Sequence, residues 1–325
     1  MPNEYRRLGN SDIEVSAVGL GTNNFGRRLD ENATARVVDA ALDAGITFFD
    51  TANVYGGGGD SERFLGAALK GRRSSAVIAT KFGAPMPGEE KGVARGTRTY
   101  IRNAVEQSLE RLGTDYIDLY QIHSPDTTTP ITETLGALNE LVDEGKVRYF
   151  GSSNFDDSQL RQAHEAAQSS GTRPFVSVQN HYSWLHREAE RDVLPTCLEL
   201  GVGFIPYFPL ANGVLTGKYT RDEQPPEGTR LAGRADNSDI LNSATWDVVE
   251  QLEAFGREAG ASLLEIAIGG LAAMPGVSSV IAGATSAEQV RSNVQAGSWK
   301  PDSAQLDALR RIGRPDGGAG PATGR

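Results

Sequence analysis

ITFFDTANVYGGGGDSERFLGAALKGRRSSAVIATKFG, residues 46–83, reads as strand, glycine-rich loop, helix and strand in succession. In a strand alternate side chains share a face, so Ile46, Phe48 and Asp50 form one row and Thr47 and Phe49 the other. A carboxylate therefore closes an apolar row. AVIATK repeats the pattern, with Val77, Ala79 and Lys81 on one face and an ammonium at the carboxyl end. The loop between the two strands presents Tyr55. Singly, each residue has a plain structural reading: Asp50 as a cap on the turn at 51–53, Lys81 as a solvated strand end, Tyr55 as cover for a rim. Charged groups seldom end apolar rows without partners, and the recurrence on two successive strands favours a joint chemical role. A cation beside a phenol lowers a pKa that starts at about 10, and a carboxylate keeps the lysine charged and placed. Such a trio suits acid catalysis by a tyrosine.

The same alternation extends in both directions. Gly9, Asn10, Ser11 and Asp12 lie between two short runs and predict an N-terminal β-hairpin, followed by a strand at 17–21. GLGTNNFG there echoes the dinucleotide glycine fingerprint, but its third glycine is misplaced and no acidic residue ends a second strand in the right role. Asp30 or Asn32 can cap a helix with Val37, Val38, Ala41 and Ala44 on its apolar face, ended by Gly45. Asp60 and Ser61 open a second helix that stops near Gly71. A third, at about 97–112, carries Ile101, Val105, Leu109 and Leu112 on one stripe. In YIDLYQIH the residues Ile117, Leu119, Gln121 and His123 share a face, so a third strand delivers a polar side chain from its carboxyl end.

A helix at 131–143, the strand KVRYFGSS, a helix at 156–169, the strand FVSVQN, a helix at 187–200 and the strand GFIPYF bring the strand units to seven. Residues 211–243 are rich in glycine, proline and charge and read as a long loop, which in a compact domain is usually functional. Helices at 244–259 and 262–273 precede the eighth strand, SSVIAG, and helices at 286–296 and 302–312 follow. The pattern predicts a single (β/α)8 TIM barrel over 1–312, with an N-terminal hairpin, a long loop after the seventh strand and a C-terminal helix. The tail 313–325 has a disordered composition. In such barrels the carboxyl ends of the strands carry the active site, where Asp50, Lys81 and His123 fall.

Composition narrows the partners. The 325 residues are 38% hydrophobic and 23% charged, an ordinary globular balance, with no apolar run near the ~18 residues of a spanning helix. MPNEYRR lacks the apolar core of a signal peptide, and the expected location is the cytoplasm. The net charge of −10 argues against nucleic acid or an anionic membrane as partner. One cysteine, Cys197, in an apolar helical segment, excludes internal disulfides and reads as core. The 4 histidines show no metal-binding spacing. Oligomeric state is not encoded in any of these features.

With these residues in view, the sequence resembles the aldo-keto reductases, NAD(P)H-dependent carbonyl reductases built on a (β/α)8 barrel. The likeness runs from GLGTNNFG to QVRSN. ITFFDTANVYGGGGDSE carries Asp50 and Tyr55, ATKFG carries Lys81, and DLYQIHSPD carries His123. GKVRYFGSSNF, SVQNHYS, PYFPLANGVLTGKY and IAGATSAEQVRSN look like cofactor-binding segments. The TGKY loop and the GATSAEQ segment resemble the bacterial and potassium-channel β-subunit branch.

The resemblance implies that Tyr55 donates a proton to a carbonyl as hydride arrives from the nicotinamide, with Lys81 and Asp50 behind it and His123 orienting the carbonyl. It implies that Ser153, Asn154 and Gln179 hold the nicotinamide amide and that Tyr207 stacks on its ring. Leu210, Gly213, Leu215, Gly217 and Lys218 would line the pyrophosphate, and Gly283, Thr285, Gln289 and Asn293 the adenosine end. Gly21 and Thr22 would close the site beneath the first loop, and Asn23, Phe25 and Trp184 would wall a substrate pocket. Trp184 reads equally as core.

The sequence also departs from the family pattern. Gly283 and Gln289 stand where a lysine and an arginine often clamp the 2′-phosphate, leaving Lys218, Arg230 or Arg291 as substitutes. NADPH is the expected cofactor, with NADH possible. Phe208 replaces a common serine, and Asn212 a common basic residue. The expected function is reduction of an aldehyde or ketone, a small-molecule carbonyl. Two other readings stand beside it: a nicotinamide-binding redox sensor or regulatory subunit with slow turnover, and an aldolase using Lys81 as a Schiff base.

Overall fold

In the computed structural model, which describes residues 3–313 apart from 91 and 233, eight parallel strands form one sheet. They are β3 (Val18–Gly21), β4 (Phe48–Asp50), β5 (Val77–Phe82), β6 (Ile117–Ile122), β7 (Val147–Ser153), β8 (Ser177–His181), β9 (Gly203–Tyr207) and β10 (Val280–Gly283). Ahead of them β1 (Tyr5–Arg7) and β2 (Glu14–Ser16) pair antiparallel as the expected hairpin. Neighbours follow chain order from β3 to β9, and β10 lies beside β3. Phe204 of β9 closes the ring. Its N–H donates to the Gly276 carbonyl and its own carbonyl accepts from Ser278 N–H, both at 2.9 Å, just before β10 begins. The fold is the (β/α)8 barrel that the alternation predicts.

Side-chain parity explains both layers. Phe48, Ala79, Leu119, Ile205 and Ile281 meet inside the barrel, while Ile78, Phe82, Tyr120, Ile122, Phe150 and Val178 face the helices. Leu8, Ile13 and Val15 join the inner cluster, so the hairpin region plugs the amino-terminal end. The fit is close. A Cβ on Gly9 would stand 2.3 Å from the Val176 carbonyl and 2.6 Å from Gly203 N, at the entries to β8 and β9. Alternation fails at strand entries: Ile46, which precedes β4, Ile117, the first residue of β6, and Val147, the first residue of β7, all belong to the outer cluster.

The helices sit close to their predicted bounds. Glu31–Asp43 is capped by Asp30, whose carboxylate accepts from Ala33 N–H at 2.7 Å. Arg98–Leu112 buries the stripe Ile101, Val105, Leu109 and Leu112. Two expectations change. The helix expected at 187–200 is a short 3₁₀ turn, Glu188–Glu190, followed by Val193–Leu200. That expected at 262–273 begins as Leu263–Glu265 and widens into a π-turn over Ile266–Gly270. The Trp184 indole N–H donates to the Ile266 carbonyl, at the start of this widened turn, at 2.7 Å. Among the described residues no helix is long and apolar enough to cross a membrane. The expected disordered tail lies, from residue 314 on, outside the described residues.

Candidate active site

Above the apolar interior, the inward rows end in Asp50, Lys81 and Gln121; the parallel register pairs Lys81 with Gln121 and sets Asp50 beside Ala79, one inward position below the lysine. Lys81 is fully buried. Its Nζ donates to Asp50 Oδ1 at 2.8 Å, to Asp50 Oδ2 at 2.7 Å and to the Thr51 carbonyl at 2.9 Å. Asp50 also accepts from Gln179 Nε2 at 2.7 Å and Gln121 Nε2 at 3.4 Å. Burial alone would depress the lysine, yet the Asp50 charge and the Tyr55 phenol outweigh it, and the pKa lies above the ordinary 10.5. A buried, protonated amine with every N–H directed is unsuited to Schiff-base attack on a carbonyl.

Tyr55 starts a single turn whose next four residues, Gly56 to Gly59, all have positive φ. Only glycine adopts this run without strain, and a Cβ on Gly56 would stand 2.8 Å from both the Phe25 carbonyl and Ser61 N. The turn holds the Tyr55 ring 5.3 Å from Lys81 Nζ and edge-on to His123, with ring centroids 5.9 Å apart. A lysine beside a phenol is expected to lower its pKa. Burial dominates instead, and the phenol lies above the ordinary 10.0, with Lys81 opposing and Asp50 adding to the rise. Tyr55 therefore carries its proton throughout the neutral range.

His123 follows β6, its N–H donating to the Phe82 carbonyl at 2.7 Å. Burial, and then the Lys81 charge, lower its pKa from 6.5 to about 3, so the imidazole is neutral at pH 7. Its Nδ1 is buried with no hydrogen-bond partner among the described residues. A buried N–H without an acceptor costs more than a bare lone pair, which places the proton on Nε2, the nitrogen able to serve the cleft. A test follows from the shifted pKa. Since the unfolded chain takes up the His123 proton first, its contribution to stability is present above pH 6.5 and lost as pH falls toward about 3. Melting temperatures from pH 7 to 3 are expected to fall more steeply for the wild type than for His123→Asn, and parallel curves would contradict the neutral imidazole.

A cleft of about 810 Å³ runs from these groups across the carboxyl ends of the strands. Of the residues expected there, Gly21, Thr22, Asn23, Asp50, Tyr55, His123, Ser153, Asn154, Gln179, Tyr207, Leu210, Gly213, Lys218, Gly283, Thr285, Gln289 and Asn293 line it. Lys81 lies directly behind Asp50. Others sit elsewhere. Leu215 and Phe25 are core residues, and Gly217, at the end of the turn Ala211–Thr216, is off the cleft. Trp184 is also core, held by the Ile266 carbonyl and pressed on Gly270, where a Cβ would approach Cζ2 to 3.1 Å. Arg291, a proposed phosphate anchor, is exposed and does not line the cleft.

The residues at the far end fit a phosphate-bearing dinucleotide. Arg28, Lys218 and Arg230 line the cleft, and among the described residues none of them forms an ion pair. Partial burial, and then Arg27 and Arg28, lower the Arg230 pKa. Three cations without ion-pair partners along one cleft, in a chain of net charge −10, suit an anionic ligand. Ser286 caps the helix Ala287–Gly297, whose amino end reaches the cleft. Phe208, Ala211 and Asn212 hold positive φ at 54°, 45° and 59°, the strained backbone typical of functional loops. Arg28, Asn24, Thr229 and Ser286 also line the cleft, and no strand-end pattern in the sequence marks such loop residues.

Fold and site together define a barrel oxidoreductase. The chain belongs to the aldo/keto reductase family, whose model matches residues 17–314. It is 38% identical to an uncharacterized oxidoreductase, YrpG, of Bacillus subtilis over 98% of both chains. It is 34% identical to a probable voltage-gated potassium channel subunit beta of Arabidopsis thaliana over 90% of both. A probable aldo-keto reductase 1 of Glycine max is 36% identical over 81% of this chain and 75% of that one.

Proposed function

We propose that this oxidoreductase reduces an aldehyde or ketone to the alcohol with NADPH, using Tyr55 as general acid. The observation that carries the reading is the buried Asp50–Lys81 pair set behind a protonated phenol and beside a neutral imidazole. When bound, the reduced nicotinamide supplies a hydride to the carbonyl carbon. His123 Nε2–H orients the carbonyl oxygen, and Tyr55 gives that oxygen its proton as negative charge develops. The phenolate left behind lies beside the Lys81 charge, which stabilises it until solvent restores the proton. Ser153, Gln179 and Tyr207 are suited to the nicotinamide end, and Gly213, Lys218, Arg28 and Arg230 to the phosphates.

Arg230 is our choice for the 2′-phosphate, which distinguishes NADPH from NADH. Arg230→Ala is expected to raise the Kd for NADPH about tenfold and to leave that for NADH within about twofold, read by fluorescence titration. Added salt should weaken NADPH binding in the wild type more than in the variant. Equal losses for both nucleotides would assign Arg230 to the shared phosphates instead. The resemblance to probable channel β-subunits supports a second reading, a nicotinamide-binding regulatory subunit with slow turnover. Tight nucleotide binding with no turnover of any reactive aldehyde would favour it.

A further inference from the structure

Asn154, which the resemblance assigns to the nicotinamide amide, already has its side chain engaged. Its Oδ1 accepts the Tyr207 hydroxyl at 2.9 Å, and its Nδ2 donates to the His123 backbone carbonyl at 2.8 Å and to Ser153 Oγ at 3.2 Å. Its backbone N–H is shared between the Gln179 carbonyl at 3.0 Å and Asn180 Oδ1 at 2.8 Å. The residue holds a φ of 61°, a left-handed conformation that asparagine tolerates better than most. One residue past β7 therefore fastens the ends of β6, β8 and β9 together.

Sheet hydrogen bonds cannot do this. Strands β6 and β9 are separated by two others, so no ladder fixes Tyr207 relative to His123. Building on the carbonyl-reductase reading, we infer that Asn154 is a positioning residue that sets the separation between His123, which orients the carbonyl, and Tyr207, the platform for the nicotinamide ring. Hydride transfer depends steeply on that separation, since a misplacement of about 1 Å can cost about 100-fold in rate. Asn154 is exposed on the cleft wall, where water competes for its bonds. A ligand covering it removes that competition and tightens the tie.

Two variants isolate the tie. Asn154→Gly removes the side chain while accepting the positive φ, and Tyr207→Phe removes only the hydroxyl and keeps the ring. In the cofactor-free protein, imidazole NMR is expected to show the His123 signals displaced in the same direction by either change. The double variant should displace them no further, and His164, in the middle of the helix Asp157–Ser170 and not among the cleft residues, should stay put. With NADPH and a reactive aldehyde, each single variant should lose about 10–100-fold in kcat with little change in nucleotide Kd, and the double variant should lose no more. An unmoved His123 signal in Tyr207→Phe, or additive losses in kcat, would overturn the inference. So would an Asn154→Gly defect confined to nucleotide affinity. A wild type that binds no nucleotide overturns the carbonyl-reductase reading itself, and the positioning role with it.

Discussion

Tyr55→Phe is expected to lower kcat for carbonyl reduction by about 10²–10⁴-fold, the usual contribution of a positioned general acid. At 1.36 kcal/mol per decade that is about 3–5 kcal/mol of transition-state stabilisation, lost with one oxygen atom. The ring remains, so its edge contact with His123 persists, and NADPH should bind with unchanged affinity. A second signature concerns pH. Because burial holds the phenol above 10.0, wild-type reduction should be level through the neutral range and fall only on the alkaline side. Steady-state kinetics against pH, paired with fluorescence titration, checks both points. A variant that retains more than about a tenth of the wild-type kcat would remove Tyr55 from the role of acid and direct attention to His123 or a bound water.

Asp50→Asn is expected to cost about 3–5 kcal/mol of stability, because it leaves the Lys81 ammonium in a dry interior without its anion. The pair is buried on both sides, with side-chain exposures of 0% for Lys81 and 4% for Asp50, so solvent screening gives little relief. A fall in melting temperature of about 5–10 °C is the expected reading. The folded pKa of Lys81 lies above the unfolded 10.5, so the stability it contributes is fully present below that pH. It is lost as pH rises through the folded value. The gap between wild type and variant should therefore be constant in the neutral range and shrink under strongly alkaline conditions. The variant should also lose turnover, since a lysine without its partner supports the phenolate less well. A gap smaller than about 1 kcal/mol at neutral pH would contradict a Lys81 charge that depends on Asp50 for its balance.

How much of this was legible beforehand varies by residue, for physical reasons. Asp50, Lys81 and His123 could be found because a strand of period two sends every second side chain inward, and a parallel barrel brings all such rows to one rim. Tyr55 was legible through its glycine run, which only a tight turn with positive φ requires. Trp184 was not, because an aromatic after a strand looks the same whether it faces a cleft or a neighbouring helix, and a π-turn more than eighty positions later in the chain supplied its partner. Phe25 followed the same logic, drawn into the core beneath the first loop. Arg28 lies on a loop where no periodicity operates, whereas Arg230 was named from the family resemblance as a substitute phosphate anchor and does line the cleft.

The sequence by itself determined the barrel, the hairpin ahead of it and the strand ends at which chemistry is placed, since these follow from local periodicity, capping and chain connectivity. The tertiary structure decided the electrostatic state of the site and the company each loop residue keeps. The direction of the Tyr55 pKa depends on how much burial outweighs one buried cation, and the occupation of Asn154 by His123 and Tyr207 depends on where β6, β7 and β9, the last adjacent to neither of the others, end in space. Both are sums over neighbours distant in the chain, which a pattern of short range cannot contain.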